Sequence, residues 1–266
     1  MGSEAVSKED CLRAASDGDV ETLRRFLLAP ETQEPKKQQQ QKEKEKATEV
    51  APEAPASAAS RRVSRELVLS LFSAAVENGQ RAVVDALLSP SIRAAAPVIR
   101  VDDLSELLAM AVVEDHDDIA SSLLENGADA NAVTALASED DDELQPLLHV
   151  ATQLGAVELV QRLVDHGVDV HARRDRDGAT ALHVAARQDE PELVRLLVQH
   201  GADVNAADRE RGDTPLHVAA KRGAKSALKA LVDCGADRSR RNGLGSTARR
   251  LAELEGHREL QTLLES

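Results

Sequence analysis

The sequence predicts an all-α solenoid of helix–turn–helix units, because two short phrases recur in it at a fixed interval. The phrase Leu-His-Val-Ala begins at Leu148, Leu182 and Leu216, so its period is 34 residues (182 − 148 = 34 and 216 − 182 = 34). A second phrase, Gly-x-Asp, follows an apolar stripe in four places, at Gly127, Gly167, Gly201 and Gly235. A period of this length is typical of repeat proteins, in which each unit buries its apolar face only against its neighbours.

The composition agrees with a helical core of small and aliphatic side chains. Of the 266 residues, 42% are apolar but only 1% are aromatic, namely Phe26 and Phe72. This balance disfavours β-sandwiches and β-barrels, whose strands are rich in aromatic and β-branched residues. Leu, Val and Ala must therefore build the core.

The sequence also bears on the cellular compartment. No stretch approaches eighteen uncharged apolar residues, and the first residues lack the cationic start and apolar run of a secretion signal. Cys11 and Cys234 are far apart in the sequence and have no partner spacing for a zinc site or a redox pair. We therefore expect an intracellular protein, in the cytoplasm, the nucleus or both, with no membrane association.

One unit shows how local sequence would start and end the helices. Thr180 offers an N-cap hydroxyl, and Ala185 and Ala186 give the first helix a small-residue face that neighbouring helices can approach closely. Pro191 suits the first turn of the second helix. Gly201 suits the left-handed position that follows that helix.

These phrases resemble the consensus of ankyrin repeats. Residues 214–220, Thr-Pro-Leu-His-Val-Ala-Ala, resemble the T-P-L-H-x-A-A phrase of that family, and residues 201–206, Gly-Ala-Asp-Val-Asn-Ala, resemble its G-A-D-V-N-A loop. The resemblance implies an α solenoid of about six to seven helix–turn–helix units with loop or β-hairpin fingers. It also implies that partner proteins bind to the fingers and the concave face.

The resemblance is uneven along the chain, which we interpret as one solenoid spanning residues 1–266. Residues 30–63 are rich in Gln, Lys and Glu and then in Ala and Pro, a composition that cannot supply a packed core, so we expect a disordered insert there. The remaining segments are a first degenerate repeat at 9–29, degenerate repeats at 65–132, an acidic loop at 133–144, well-matched repeats at 145–239 and a C-terminal capping repeat at 243–265.

Charge is distributed unevenly. The formal net charge is −14, and counting basic against acidic residues gives 15 − 15 = 0 for residues 1–100, 1 − 17 = −16 for 101–171, 16 − 11 = +5 for 172–250 and 1 − 4 = −3 for 251–266. The acidic part would attract a basic segment of a partner, and the basic part an acidic one.

Positions carried over from the family give the candidate partner-binding residues. In the fingers these are Arg173, Arg174, Arg176, Arg209 and Arg211. On the concave face, after the positions of the paired alanines, they are Glu77, Glu114, Arg187, Gln188, Lys221 and Arg222. The acidic loop adds Asp140, Asp141 and Asp142. The competing interpretation is that each is only a solvated surface charge.

The sequence favours neither an enzyme nor a metalloprotein. His149, His183 and His217 occur once per unit, which would separate neighbours by roughly 10 Å, whereas zinc ligands lie about 2 Å from one metal. In the family these histidines are structural. The glycine-rich stretch 242–247 lacks the lysine of a phosphate-binding loop. We expect no cofactor, no metal and no catalytic site.

Three residues resemble modification sites. Ser64 follows Arg61-Arg62-Val63 as in a site for basophilic kinases, although it could simply cap a helix. Asn131 and Asn205 lie in contexts that resemble asparagine-hydroxylation sites of ankyrin repeats, although both could simply close a loop.

The function expected from these observations is a non-enzymatic protein–protein interaction module, monomeric by itself, that acts as an adaptor, scaffold or inhibitor. One alternative is a nucleic-acid-associated or transcriptional regulator, but a charge of +5 beside −16 argues against direct nucleic-acid binding. Another is a targeting subunit of an enzyme complex.

Overall fold

The computed structural model describes residues 7–28, 64–95, 99–134 and 144–265. The chain divides into two compact units, Met1–Ile99 and Arg100–Ser266, which we call unit 1 and unit 2. The proposed insert at 30–63 lies outside the described residues, as do residues 135–143 of the acidic loop. None of the helices in the described ranges combines the length and the apolar character needed to cross a bilayer.

The described part of unit 1 contains five helices. They are α1 (Lys8–Asp17), α2 (Val20–Leu28), α3 (Arg65–Glu77), α4 (Arg81–Leu88) and α5 (Pro90–Ala95). Helix α1 packs on α3, and α2 packs on α4, so the first helices of the two pairs form one layer and the second helices another. Phe72 is fully buried in α3. The sequence did not reveal α5, which packs on both α2 and α4 and buries Ile92.

The described part of unit 2 contains nine α-helices and a short hairpin. They are α6 (Val101–Val113), α7 (Asp117–Glu125), β1 (Val133–Thr134), β2 (Gln145–Pro146), α8 (Leu147–Leu154), α9 (Val157–Asp165), α10 (Ala181–Gln188), α11 (Pro191–Gln199), α12 (Pro215–Arg222), α13 (Lys225–Asp233) and α14 (Ala248–Leu254). The even-numbered helices pack on one another in order as an inner layer, and α7, α9, α11 and α13 form an outer layer.

Small side chains set the spacing of the inner layer. Ala185 and Ala186 of α10 and Ala219 and Ala220 of α12 have no exposed surface. With side chains of one carbon, two short helices can approach closely, and longer residues such as Leu182 are buried as well. The predicted small-residue face is therefore the helix-packing surface.

A ladder of histidines joins successive repeats within unit 2. The Nε2 atoms of His149, His183 and His217 lie 2.9 to 3.0 Å from backbone carbonyl oxygens 29 to 30 residues further along the chain. A carbonyl oxygen only accepts hydrogen bonds, so Nε2 carries the proton and Nδ1 is the acceptor. In His183, Nδ1 accepts from the backbone N–H of Thr180 at 3.1 Å and lies 2.9 Å from its hydroxyl. The structural role implied by the resemblance is thus the observed one.

The fingers are loops with minimal strand pairing. Strands β1 and β2 are antiparallel, with Val133 opposite Pro146 and Thr134 opposite Gln145. Single antiparallel bridges join Arg173 to Thr180 and Arg241 to Thr247 in later fingers. Each of these fingers leads directly into the N-terminus of the next inner helix.

The C-terminal segment differs from a full helix pair. Helix α14 begins at the N-cap Thr247, whose hydroxyl accepts from the N–H of Arg250 at 3.3 Å. Instead of a second α-helix, the 3₁₀ turns Arg258–Leu260 and Thr262–Leu264 follow. Leu260 and Leu264 are buried there, and tight turns suffice to place these two side chains over the preceding helices.

Candidate functional site

A cleft of about 540 Å³ lies within unit 2. Two of its walls are the fingers that precede α10 and α12, which are the loops at residues 166–180 and 200–214. The last turns of α10 and α12 form another side, and Gln145 of β2, Val218 of α12 and Glu255 after α14 complete the lining. Six cationic residues line it, Arg174, Arg176, Arg187, Arg211, Lys221 and Arg222. Five acidic residues line it as well, Asp177, Asp208, Glu210, Asp213 and Glu255.

Hydrogen bonds between the two fingers fix the upper wall of the cleft. Nη1 of Arg173 donates to the carbonyl oxygens of Gly178 at 2.7 Å and Ala207 at 2.8 Å, so one side chain joins both fingers. The backbone N–H of Arg209 donates to the carbonyl oxygen of Asp177 at 2.8 Å. Because these contacts join consecutive repeats, the two fingers form one fixed wall.

The carboxylate of Asp177 is committed within its own finger. It forms a salt bridge with Arg174, and the two side chains are only 14% and 15% exposed. It also accepts from the N–H of Ala179 at 2.9 Å. Burial alone would raise the pKa of Asp177, but the hydrogen bonds from Ala179 and Arg174 outweigh it and hold the pKa below its usual value. Asp177 is therefore ionised at neutral pH, and the positive charge of Arg174 balances its negative charge.

Two more carboxylates stabilise the finger before α12. Oδ1 of Asp208 accepts from the backbone N–H groups of Arg211 at 2.8 Å and Asp213 at 3.1 Å. Oδ1 of the buried Asp213 accepts from Nδ2 of Asn242 at 2.6 Å, which joins this finger to the following one. At the exposed rim, Glu210 pairs with Arg211 at 3.4 Å. Four of the five acidic residues of the lining thus have partners.

Three cations differ from these pairs. Arg187 lies in the last turn of α10, and Lys221 and Arg222 lie in the last turn of α12. None of the three forms an ion pair with another residue of the described ranges. Partial burial lowers the pKa of Arg187 and the nearby cations Arg174 and Arg222 lower it further, whereas Asp177 and Asp208 partly oppose this shift. Positive charge is therefore concentrated on this side of the cleft.

The 34-residue period explains where these cations lie. Arg187 and Lys221 occupy equivalent positions in consecutive repeats (221 − 187 = 34), and Gln153 is the preceding equivalent (187 − 153 = 34). The last repeat is offset by 33 residues, since its N-cap Thr247 corresponds to Thr214 (247 − 214 = 33), so Leu254 corresponds to Lys221 and Glu255 to Arg222. The row of Arg187 and Lys221 therefore changes from neutral to cationic to apolar along the inner layer, and an acidic residue follows Arg222 in the neighbouring row.

The structure separates the predicted partner-binding residues into two groups. Arg174, Arg176, Arg187, Arg211, Lys221 and Arg222 all line the cleft. Arg173 instead joins the fingers, the Arg209 side chain lies against Gly178, and Nε2 of Gln188 donates to the carbonyl oxygen of Gln153 at 3.3 Å. These three do not belong to the lining.

The predicted acidic residues do not join this cleft. Glu77 is the last residue of α3 in unit 1, and Glu114 follows α6 in unit 2; both are exposed and neither lines the cleft. Asp140, Asp141 and Asp142 lie outside the described residues.

The predicted binding residues leave out seven residues of the lining, Gln145, Asp177, Asp208, Glu210, Asp213, Val218 and Glu255. Asp177, Asp208 and Glu210 lie beside the predicted arginines in the two fingers, and Glu255 corresponds to Arg222 in the last repeat (255 − 222 = 33), so the sequence held a signal for these four. Gln145, Asp213 and Val218 offered no comparable signal, because their place in the lining depends on how the loops fold over the inner helices.

The residues that resemble modification sites have structural contacts. Oγ of Ser64 accepts from the N–H of Leu67 at 3.3 Å and caps α3. Oδ1 of Asn131 accepts from the N–H of Asp169, and Oδ1 of Asn205 from the N–H of Asp237, both at 2.8 Å. The two asparagines therefore join consecutive loops, whereas modification at any of these positions stays a prediction.

The side chains of the described ranges do not assemble a metal centre. No group of three or more His, Cys, Asp or Glu residues is arranged there to hold an ion. Each ladder histidine instead faces a backbone carbonyl of the next unit.

Comparison with known proteins accounts for the arrangement of unit 2. A family model described as ankyrin repeats in three copies matches residues 108–208 and 148–242. Together the matches span 108–242, which is 242 − 107 = 135 of the 266 residues. No curated protein matches the chain. The predicted α-helical ankyrin fold class is confirmed, and the chain belongs to the ankyrin-repeat family.

Proposed function

We propose that the protein is a non-enzymatic interaction module that holds a partner protein in the cleft of unit 2. Ankyrin repeats generally bind proteins, and the observation that carries the proposal for this cleft is a local excess of unpaired cations. Arg187, Lys221 and Arg222 face a cleft of about 540 Å³ and have no ion-pair partner in the described ranges.

The construction of the cleft favours binding. Its walls are joined by interunit hydrogen bonds, such as those of Arg173 and Asp213, so little conformational entropy is lost when a partner binds. The chain contains no Trp or Tyr, the residues that most often dominate binding energies. Arginine contacts and electrostatic steering are therefore the expected sources of affinity and of a high association rate.

Direct nucleic-acid binding is less well supported. Such sites are dominated by cations that neutralise phosphates, whereas this lining includes five carboxylates and residues 101–171 carry a charge of −16. A role as the targeting subunit of an enzyme complex is one form of the proposed partner binding.

Affinity capture with the full-length chain tests the proposal. The cleft variant carries Arg187→Glu, Lys221→Glu and Arg222→Glu. The control variant carries Arg195→Glu, Lys225→Glu and Lys229→Glu, which are exposed residues of the outer helices α11 and α13 and give the same change in net charge.

The expected result is one specific protein that the wild type and the control capture and the cleft variant loses, as measured by quantitative mass spectrometry. Urea unfolding of all three proteins verifies that the cleft variant is folded. If every captured protein survives in the folded cleft variant, the cleft is not the binding site.

A further inference from the structure

We propose that the segment bound in the cleft is an acidic, extended peptide stretch whose carboxylates are about three residues apart. This inference rests on the proposed function, because it assumes that the cleft receives a protein. It adds the chemistry of the bound segment and the spacing of its charges.

The lining has a formal charge of +1, from six cations and five carboxylates. The charges of Asp177 and Glu210 are balanced by the ion pairs with Arg174 and Arg211. Asp208 and Asp213 keep their negative charge, but their Oδ1 atoms accept hydrogen bonds from the fingers themselves. The hydrogen-bond donors available to a ligand are therefore mainly those of Arg187, Lys221 and Arg222.

Two cations lie near Arg187. Burial is the largest cause of the lowered pKa of its guanidinium, and repulsion from Arg174 and Arg222 lowers the pKa further, while Asp177 and Asp208 offset part of this repulsion. Cations in the last turn of a helix are stabilised by the helix dipole, which explains one charge in each of α10 and α12. The dipole does not explain why the cations of two repeats line the same cleft. A bound carboxylate would relieve this repulsion and form charge-assisted hydrogen bonds with both units.

Arg187 and Lys221 are equivalent residues of α10 and α12, which pack directly against each other. Axes of packed helices are about 8–10 Å apart. An extended chain in the polyproline-II conformation advances about 3.1 Å per residue with three residues per turn, so residues i and i+3 lie on the same side about 9 Å apart. Carboxylates about three residues apart therefore match successive units. Glu255, which corresponds to Arg222 in the last repeat (255 − 222 = 33) and also lines the cleft, would repel a further acidic residue and limits the acidic stretch to this part of the cleft.

Fluorescence anisotropy with the full-length chain and defined peptides tests the proposal. The probe is a labelled ten-residue peptide with Glu at every third position in a Gly/Ser background. Two further peptides replace each Glu by Gln or place the same glutamates side by side. The protein variants are Arg187→Gln with Lys221→Gln and Arg222→Gln, and the matched control Arg195→Gln with Lys225→Gln and Lys229→Gln.

We expect the spaced Glu peptide to bind the wild type at least about tenfold more tightly than the Gln peptide. The cleft variant should lose this difference, whereas the control should keep it. The peptide with adjacent glutamates should bind more weakly than the spaced one. Equal binding of the two Glu peptides would overturn the spacing, and equal binding of the Glu and Gln peptides would overturn the acidic specificity.

A labelled single-stranded oligonucleotide of ten nucleotides distinguishes another polyanion. If it binds through the cleft residues and the spaced Glu peptide does not, the cleft is a nucleic-acid site and the inference is wrong. If no peptide binds but the captured partner still depends on Arg187, Lys221 and Arg222, the inference fails and the proposed function stands. If capture is also insensitive to these residues, both fail.

Discussion

Pro146 stands one turn before His149, at the position that Thr180 and Thr214 occupy in the next two units (180 − 146 = 34 and 214 − 180 = 34). Proline has neither an N–H nor a hydroxyl to offer. The Nδ1 atom of His149 is consequently buried without a hydrogen bond from any described residue, whereas Nδ1 of His183 has the N–H and hydroxyl of Thr180 beside it.

Replacing Pro146 by Thr should stabilise the protein. The new threonine would supply the missing donors to Nδ1 of His149, and we expect the free energy of unfolding to rise by about 1 kcal/mol. Urea denaturation followed by circular dichroism measures the change. Pro146→Val is the matched control, since valine has the shape of threonine without its hydroxyl. If Thr and Val give the same stability, the hydroxyl does not act as a cap.

Stability should fall in mildly acidic solution because of the same histidine. Burial lowers the pKa of His149 to about 4, compared with about 6.5 in an unfolded chain. Between these values the unfolded state binds more protons than the folded state. The free energy of unfolding should therefore decrease as the pH falls from about 6.5 to 4, by up to about 1.4 kcal/mol per pH unit from this residue.

Urea unfolding at several pH values in this window measures that slope. Burial also lowers the pKa of His183 and His217, which adds to it, whereas burial and the nearby Asp115 raise the pKa of Asp117, which opposes it. His149→Gln isolates the contribution of His149, because the other groups stay the same. An unchanged slope in this variant would contradict the prediction.

Removing the middle histidine of the ladder should destabilise the protein. His183 has no exposed surface, and its Nε2 lies 3.0 Å from the carbonyl oxygen of Asp213. His183→Ala leaves this oxygen and the Thr180 donors without their partner and opens a cavity, so we expect a loss of about 2–3 kcal/mol in urea unfolding. The exposed His171 is the control: His171→Ala should change stability by less than about 0.5 kcal/mol.

Two glycines separate backbone strain from steric clash. Gly212 and Gly235 both have positive φ, at 65° and 88°. A Cβ at Gly212 would lie 2.9 Å from the backbone nitrogen of Gly243, whereas at Gly235 nothing lies within 4 Å. We expect Gly235→Ala to cost about 1 kcal/mol and Gly212→Ala about 3 kcal/mol, because its clash disturbs the contact between two fingers. Equal losses in urea unfolding would show that this clash relaxes without cost.

Partner binding in the cleft should depend on salt. Exposed cations such as Arg222 are screened beyond about 10 Å at an ionic strength of about 0.1 M. The association rate with the captured partner should therefore fall as salt rises, with a smaller effect on dissociation. Stopped-flow or surface-binding kinetics at two ionic strengths measures this. A rate independent of salt would contradict electrostatic steering.

Much of the repeat architecture could be read directly from the sequence. Thr180 occupies the predicted N-cap position, Gly201 has the predicted positive φ, and the ladder histidines bond between repeats. These features were predictable because each depends on contacts within one unit or with its neighbour. Because the same contacts recur in each repeat, the same sequence phrase recurs with them and can be recognised.

Departures from the repeat were harder to predict. Among the described helix pairs, α5 has no counterpart, and Ile92 is the buried residue among those of its side chains that the structure describes. The unsatisfied Nδ1 of His149 follows from Pro146, but its consequence is visible only when burial is known. A feature that occurs once in the chain leaves no repeated phrase by which it can be recognised.

The sequence by itself determined the period, the helix boundaries of the best-matched units and the excess of cations after residue 172. Only the tertiary structure decided which cations face the cleft. Arg173 and Arg174 are adjacent and chemically identical, yet one joins two fingers and the other pairs with Asp177 in the wall. The physical reason is that helix formation depends on local spacing, whereas the use of a surface charge depends on which atoms of other units lie within a few ångströms of it.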